Sequence, residues 1–494
     1  MKRFSVFLLV LAMVLSLAAC GEKGTTIRCP SKDDEEESVK KDPIAAQYLE
    51  ELAVKTAEYP ALPERPSHAQ LEEAFNTIDY DKMGAEAYEK AQEQIWEDWD
   101  ARSSAYYDAL RALRSEGTAY PAAFLSFTQE TADALLSAQG NTVLSPANLY
   151  LALAMLSETV DGESRAQLLD LLGLNGTDES RSAANYIWRS LYGETDSGRT
   201  LLASSVWLNE TLPYNEETLT ALAQQYLAST YSAPMGTEKA DRAIAEWVNE
   251  NTGGLLEEAA GGIETRPETA LVLLTALYFK DAWSNEFSKS ETTQDIFTAA
   301  DGTAQTVDFM HLTQDSAACC RGENYTVAEL RFRSGQAMRF LLPDEGTTLE
   351  SLLADGSAVG GLMSYDMGVM LSAAKLVWSV PKFDVNSDLE LTKTLKALGV
   401  SDVFDFDKAD FSPLIDTKRI DEEVAVTKVQ HAARVKINEE GCEAAAFTAI
   451  TADDTAALPE DLPEIEMNLN RPFAFMITGV DSLPLFIGTV NTAA

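Results

Sequence analysis

The chain has 494 residues, of which 46% are hydrophobic, so it can bury a core and is not disordered. Its 79 acidic residues outnumber 38 basic residues, which gives a formal net charge of -41. A polyanion is repelled by nucleic acid and by anionic lipid, so the charge argues against both as partners. For this length we expect one large domain with appendages.

The N-terminus is typical of an exported protein. Lys2 and Arg3 precede an apolar run that is too short to span a membrane comfortably. This run ends in Leu17-Ala18-Ala19-Cys20-Gly21, which resembles a bacterial lipobox. We therefore expect residues 1–19 to be a lipoprotein signal peptide and Cys20 to be lipidated, so that the protein is anchored at the bacterial cell surface, or secreted. An ordinary signal peptide with an incidental Cys20 is the alternative.

Two segments follow the predicted signal. Residues 20–42 are predicted to be an acidic tether, because they are rich in charge and contain nothing that packs a core. Residues 43–118 are predicted to be a helical extension, in which apolar residues recur at helical spacing on one face. This face comprises Tyr88, Ile95, Trp99, Tyr106, Leu110 and Leu113. We expect it to pack on the main domain or on neighbouring helices, and a partner-binding face is the alternative.

Residues 119–494 are expected to form the main domain. Helical patterns come first and strand-like runs follow, without a repeating strand–helix–strand rhythm, which favours an α+β fold. The predicted helical stretches are Ser126–Ala138, Leu149–Leu172 and Ala240–Asn251. The predicted strands are Ala270–Phe279, Ala337–Leu342, Lys375–Val380, Ala433–Ile437, Ala474–Gly479 and Pro484–Val490.

The sequence lacks the motifs of common enzymes. It contains three scattered histidines, and no HExxH helix, paired CxxC, phosphate-binding loop, GxGxxG or GxSxG is present. Five cysteines do not make a disulfide framework for an exported chain of this size. We therefore predict no catalytic residues, no metal and no cofactor.

The stretch NEEGCEAAAFTAITADDTAALPEDLPE, which begins at Asn438, combines features of a strand and of a loop. If residues 442–452 form a strand, its even-numbered face carries only small or uncharged side chains, whereas Glu443 lies on the odd-numbered face. Pro459 and Pro463 favour an exposed loop further on, and Gly441 permits a hinge. The pattern predicts a segment that can be buried as a strand. A surface loop rich in alanine is the alternative.

Asn438 to Ala446 looks like the hinge of the reactive-centre loop of serpins, the serine protease inhibitors. Other serpin-like motifs occur in the family's order: NTVLSP at 141–146, LALAML at 151–156, WVN and TGG within 247–254, ALYFKDAW at 276–283, VPKF at 380–383, RPF at 471–473 and PLFIG at 484–488. The resemblance covers roughly Tyr120 to the C-terminus. It implies a metastable serpin fold with three β-sheets, about eight or nine helices and an exposed reactive-centre loop.

The resemblance also implies a mechanism. A protease attacks the exposed loop and forms an acyl-enzyme, and the freed hinge then inserts into the large sheet as a new central strand. Insertion distorts the protease before deacylation. A non-inhibitory serpin that acts as a surface binding or shielding protein is the alternative. The hinge favours inhibition, because its inward-facing positions carry neither charge nor proline. We expect a monomer whose only membrane contact is the lipid.

Individual roles follow from matches to the family pattern. The hinge match comprises Glu439, Glu440, Gly441, Cys442, Glu443, Ala444, Ala445 and Ala446. The region that controls sheet opening is matched by Trp283, Lys382, Ser145, Asn148 and His431. Within it, Glu439 and Lys382 match a salt-bridged pair at the top of the sheet. Asn148 replaces a usual serine and Thr275 stands where asparagine is typical, so we expect altered hydrogen bonding there.

Family spacing places the reactive bond at Thr455–Ala456. The loop is longer than usual, so the whole interval from Ala452 to Leu458 remains a candidate. No Lys or Arg lies between Lys436 and Arg471, which argues against a trypsin-like target because the trypsin pocket needs a cation. Small residues at the expected bond favour an elastase-like protease, and a broad subtilisin-like protease is the other candidate.

Overall fold

A computed structural model describes most of the chain. The described residues are 6–11, 43–60, 66, 68–114, 120–195, 198–252, 263–365, 371–416, 419, 423–442 and 462–493. Several predicted features lie outside them: the lipidation site Cys20, the tether at residues 20–42, the hinge residues Glu443 to Ala446, and the reactive bond Thr455–Ala456.

The described residues form thirteen α-helices and eighteen strands. The helices are α1 Pro43–Leu52, α2 His68–Asn76, α3 Tyr80–Met83, α4 Ala85–Arg114, α5 Tyr120–Leu135, α6 Pro146–Thr159, α7 Gly162–Leu171, α8 Thr177–Leu191, α9 Glu216–Gln225, α10 Glu238–Asn251, α11 Leu349–Ala354, α12 Ser357–Ser364 and α13 Thr392–Ala397. A short 3-10 turn covers Asp402–Phe404.

The eighteen strands of the described residues are numbered in chain order. They are β1 Val6–Leu11, β2 Ala53–Lys55, β3 Thr142–Leu144, β4 Gly193–Glu194, β5 Gly198–Asn209, β6 Ala228–Ala233, β7 Thr269–Ala282, β8 Thr293–Thr298, β9 Ala304–Arg321, β10 Tyr325–Arg331, β11 Ala337–Pro343, β12 Leu371–Pro381, β13 Phe383–Glu390, β14 Val424–Ile437, β15 Gly441–Cys442, β16 Glu464–Asn468, β17 Phe473–Thr478 and β18 Pro484–Val490.

The first sheet is built around β7 and β14. Its order is β13, β14, then β1 and β15, then β7, β5, β6 and β2, and the short β4 pairs with β5. β1 is parallel to both β14 and β7, whereas β15 is antiparallel to both. The long strands β7 and β14 therefore run in the same direction, with a strand-wide space between them.

The second sheet has the order β16, β12, β9, β10, β11, β17, β18 and β3, with β8 paired to β9. Its continuity depends on the 18-residue β9, which pairs with β12 from Phe309 to Cys320 and with β10 from Cys319 to Arg321. The family resemblance implied three sheets. The described residues form two, because β9 pairs with both β12 and β10 and so links strands that would otherwise form separate sheets.

Helix α6 forms the centre of the core. Every residue of its sequence PANLYLALAMLSET is buried, because the helix is apolar on all sides and packs on β7 of the first sheet and β18 of the second. The prediction of one helical stretch over Leu149–Leu172 was wrong in its continuity. The chain breaks between α6 and α7, where Gly162 takes a φ of 59°, a conformation that favours glycine.

The prediction of a wholly helical extension was wrong at Ala53–Lys55, which form β2 because they pair with β6. The other predicted helices and strands overlap observed helices and strands. Each predicted strand lies within an observed strand, except that Gly479 falls just beyond the end of β17. In the extension, α4 packs on α2, α3 and α8, and Tyr88, Ile95, Trp99 and Tyr106 are partly buried. The helices among the described residues are all too short or too polar to cross a bilayer.

Candidate functional site

The candidate site is the space between β7 and β14, which we call the slot. At its upper end the slot holds β15, where Gly441 faces Ala282 of β7 and Cys442 faces Ile437 of β14. At its lower end it holds β1, which pairs with β14 from Val424 to Gln430 and with β7 from Thr269 to Leu273. The backbone geometry therefore accommodates an additional strand between β7 and β14.

The chain enters the slot through a tight turn after β14. The side-chain oxygen of Asn438 accepts hydrogen bonds from the backbone N–H groups of Glu440 and Gly441, at 2.9 and 3.1 Å. The N–H of Asn438 donates to the carbonyl of Gly441 at 2.9 Å. This asparagine turn reverses the chain within four residues, so the start of the hinge folds back between the two long strands.

Gly441 is required by the space available to it. A Cβ atom built on Gly441 would lie 2.1 Å from the carbonyl oxygen of Asp281 and 2.8 Å from the Cα of Ala282. Both are backbone atoms of β7, so no flexible side chain can move aside. The sequence suggested that this glycine gives the hinge conformational freedom, whereas in the structure its missing side chain allows close approach to β7.

Glu439 forms the polar contact at the slot entrance. Its carboxylate lies 2.7 Å from Lys382 Nζ and 2.8 Å from Thr292 Oγ1, as the resemblance implied for the lysine. Burial of Glu439 raises the pKa of its carboxyl, but the hydrogen bonds from Lys382 and Thr292 outweigh burial and hold that pKa below its usual value. Glu439 is therefore ionised at neutral pH and bound in place.

Two residues at the entrance were not found by sequence reasoning. Lys289 forms an ion pair with Glu440, and this hydrogen bond raises the pKa of the lysine. Thr292 donates to Glu439. Both residues lie in the connection after β7, which carries no motif of its own, and their roles depend on tertiary proximity.

Trp283 holds the backbone of the turn. Its indole Nε1–H donates to the carbonyl of Asn438 at 2.9 Å, and its backbone N–H donates to the carbonyl of Glu440 at 2.9 Å. The ring is fully buried and stacks on Phe332 with centroids 4.4 Å apart. Trp283 is thus a core tryptophan that also contacts the hinge turn, and these contacts are compatible with its predicted role at the sheet opening.

His431 lies on β14 in the middle of the slot, between the parts filled by β1 and β15. Its Nε2 accepts a hydrogen bond of 2.9 Å from the backbone N–H of Ser145, so the neutral ring carries its proton on Nδ1. Among the described residues, none accepts a hydrogen bond from Nδ1. Complete burial lowers the pKa of His431 to about 4, so the ring is neutral at physiological pH.

The opposite strand is attached to the same helix end. Thr275 Oγ1 on β7 donates to the backbone carbonyl of Asn148 at 3.2 Å, and Ser145 Oγ accepts from Asn148 N at 3.3 Å as the N-cap of α6. The start of α6 therefore contacts β14 through His431 and β7 through Thr275. Any widening of the slot at its centre has to strain or break one of these two hydrogen bonds.

The structure places the predicted site residues that it describes in two groups along the slot. Glu439, Glu440, Gly441 and Cys442 lie at the upper end of the slot with Trp283 and Lys382, and Ser145, Asn148 and His431 lie at its centre. Cys442 is 3% exposed, which agrees with the expected inward face of the even-numbered positions. Within the described ranges, no three His, Cys, Asp or Glu side chains are arranged to hold a metal ion.

Comparison with known proteins agrees with the family resemblance of the sequence motifs. Residues 122–493 match the family model described as "Serpin (serine protease inhibitor)". The chain is 30% identical over 408 residues to Serpin-Z2A of Oryza sativa subsp. japonica, an alignment that covers 74% of this chain and 95% of the rice protein.

Solved structures share the fold. The native state of the thermophilic serpin tengpin superposes with a TM-score of 0.65 at 25% identity, covering 76% of this chain and 94% of tengpin. Thyroxine-binding globulin in complex with thyroxine superposes with a TM-score of 0.61 at 25% identity, covering 76% of this chain and 98% of that protein.

Proposed function

The chain belongs to the serpin family of protease inhibitors, and on that premise we propose that it traps a serine protease by inserting its cleaved loop into the slot. The observation that supports the proposal most strongly is that two short strands, β15 and β1, already lie between β7 and β14. The hinge residues Gly441 and Cys442 form the first of these strands, and β1 lies in the same strand position further down.

The predicted processing of the N-terminus fits this proposal. Cleavage before Cys20 would remove β1 from the mature chain and leave its hydrogen-bonding positions on β7 and β14 for another strand. The hinge would continue downward from β15, antiparallel to both neighbours. In such a strand its small even-numbered side chains would face the same side as buried Cys442, so their burial would leave no charge unpaired.

The energetics of insertion favour trapping. About fifteen inserted residues add on the order of ten ladder hydrogen bonds, each contributing about 0.5–1.5 kcal/mol net. In the proposed reaction the protease serine attacks the carbonyl carbon of Thr455, and the amine of Ala456 leaves with a proton. The acyl ester then remains attached to the inserting segment. The free energy of insertion offsets the cost of distorting the protease before water can release it.

The proposed target is an elastase-like or a subtilisin-like protease. The absence of Lys and Arg between Lys436 and Arg471 disfavours trypsin-like enzymes. The test is to titrate pancreatic elastase, subtilisin and trypsin with the purified protein and to analyse each mixture by denaturing gel electrophoresis and mass spectrometry. We expect a covalent complex with elastase or subtilisin and a released fragment that begins near Ala456. Cleavage without a complex would contradict inhibition.

We further propose that lipid at Cys20 anchors the protein at a bacterial cell surface, with residues 20–42 acting as a tether. The basic start, the apolar run and the terminal cysteine of the predicted signal support this proposal. Extraction of the native protein with detergent, and its release into buffer after Cys20→Ala, would test it.

A binding function is the second candidate. It is supported by the superposition on thyroxine-binding globulin, whose structure is a complex with thyroxine. The protease titration discriminates the two functions, because a carrier has no need to form a covalent complex.

A further inference from the structure

The segment from Pro43 to Tyr59, which we call the clasp, lies outside the family match and yet contacts the main domain. Its strand β2 pairs with β6, where Ala53 faces Tyr231 and Lys55 faces Thr230. Among the described strands, β6 otherwise pairs with β5 on its other side. The clasp therefore covers the outer edge of the first sheet, an edge that would otherwise expose unpaired backbone groups.

The helix of the clasp packs on α10. Leu49 and Leu52 are 7% and 9% exposed and belong to the hydrophobic cluster formed by Ile244, Trp247 and Val248 of α10. Lys239 Nζ of α10 lies 3.4 Å from the centroid of the Tyr48 ring, a cation–π contact. The clasp thus connects α10 to the edge of the sheet through apolar burial and a directed charge contact.

The end of the clasp is attached to two further helices. Lys55 forms an ion pair with Glu216 of α9, and the backbone N–H of Glu58 donates to the carbonyl of Ala223 at 3.1 Å. The Tyr59 ring stacks on Trp188 of α8 with centroids 5.3 Å apart. The clasp is therefore held at both ends and spans α10, β6, α9 and α8.

Helix α10 belongs to a hydrophobic cluster that includes residues from both sides of the slot. The cluster that contains Leu49 and Leu52 also contains Val272, Leu274 and Ala276 of β7 and Ala432 of β14, which stand on opposite sides of the slot. A strand that enters or leaves the slot changes the separation of β7 and β14 by about 4.8 Å. Because residues of α10, β7 and β14 belong to one packed cluster, that cluster has to repack when the separation of the two strands changes.

We propose that the clasp restrains α10 and thereby slows entry of a strand into the slot. This inference rests on the proposed function, since strand insertion is the event that the clasp would control. The clasp raises the barrier because α10 cannot repack without losing its contacts to Leu49, Leu52 and Tyr48. It thus sets how readily the intact loop inserts before any protease has cleaved it.

The test measures slot opening without a protease. A fluorescent peptide with the sequence of residues 440–454 is mixed with the mature chain isolated after export, and its annealing is followed by native gel electrophoresis. The double variant Leu49→Ala/Leu52→Ala should anneal the peptide about tenfold faster than wild type, which corresponds to about 1.4 kcal/mol. Val54→Ala is the matched control, because Val54 lies in the same segment and is 47% exposed.

Tyr59→Ala provides a second variant in case the double variant fails to fold, because Tyr59 is 50% exposed and stacks on Trp188 at the end of the clasp. It should also accelerate annealing, whereas Val54→Ala should match wild type. Equal rates in wild type and clasp variants, or no annealing in any of them, would overturn the proposal. Elastase and subtilisin are assayed in parallel. If wild type anneals the peptide but inhibits neither enzyme, the proposed function fails. The annealing rates of the variants then still test whether the clasp slows entry of a strand.

Discussion

Lys382 and Glu439 form an ion pair of 2.7 Å that closes the upper end of the slot. The glutamate is almost completely buried, and Thr292 donates to the same carboxylate. The pair joins Lys382, which directly follows β12, to the turn that follows β14. It therefore fixes where the hinge begins.

Replacing Glu439 with glutamine should destabilise the native state by about 1–3 kcal/mol, because a charge-assisted hydrogen bond is lost at a buried position. The measurement is urea unfolding at neutral pH. Since the pKa of Glu439 lies below its usual value, its contribution is present at neutral pH and is lost as the pH falls through the folded-state pKa.

The matched control is Glu440→Gln at the neighbouring position. Its partner Lys289 is 69% exposed, so this ion pair should contribute less than about 1 kcal/mol. If the two substitutions have equal effects, Glu439 has no special role at the entrance.

Substitution of Gly441 with alanine should expel the hinge from the slot, since the new methyl group collides with the backbone of Asp281 and Ala282. Cys442 would then lose its protection. We expect its alkylation rate, mapped by mass spectrometry, to rise by about tenfold or more, because the opening that exposes it becomes less costly.

Gly193→Ala is the control for this experiment, because nothing lies within 4 Å of a Cβ atom built there. It should leave the Cys442 rate unchanged. An unchanged rate in Gly441→Ala as well would show that the β15 pairing does not protect the thiol.

His431 predicts a loss of stability in acid. Its folded-state pKa is about 4, below the ordinary value of 6.5, so the unfolded chain binds more protons between these values. Stability from this residue is complete above about pH 6.5 and falls on acidification, by about 2 kcal/mol at pH 5. The measurement is the free energy of unfolding from pH 8 to pH 5, compared with His431→Asn.

The asparagine variant should show a shallower pH dependence, because position 431 no longer titrates. The comparison removes the contribution of the many acidic residues, which both proteins share. Identical slopes in the two proteins would mean that His431 is not buried in its neutral form.

Two features of the site could be predicted from the sequence. Alternation of small and charged residues predicted that Cys442 faces inward, and Cys442 is buried. The Glu439–Lys382 contact was implied by the resemblance, and the structure confirms it. The first result follows from the alternation of side chains along a strand, whereas the second follows from the family resemblance alone.

Other parts of the site depend on tertiary contacts. Lys289 and Thr292 contact the hinge from a connection that carries no motif. Thr275 donates to a backbone carbonyl, and a backbone acceptor cannot be recognised from the residue type. The clasp has no counterpart in the serpin motifs. Its strand β2 was expected to be helix, because it lies in the segment 43–118 whose apolar residues recur at helical spacing. Pairing with β6 overrides the local helical pattern there.

The most direct test of insertion compares the intact protein with the same protein after its loop has been cut. Subtilisin or elastase is used in excess to cleave within Ala452–Leu458, and both forms are unfolded in guanidinium chloride. Insertion of the cut loop should stabilise the protein by on the order of 10 kcal/mol, so the cleaved form should unfold at a much higher denaturant concentration. Equal midpoints for the cut and intact proteins would contradict insertion into the slot and, with it, the proposed mechanism.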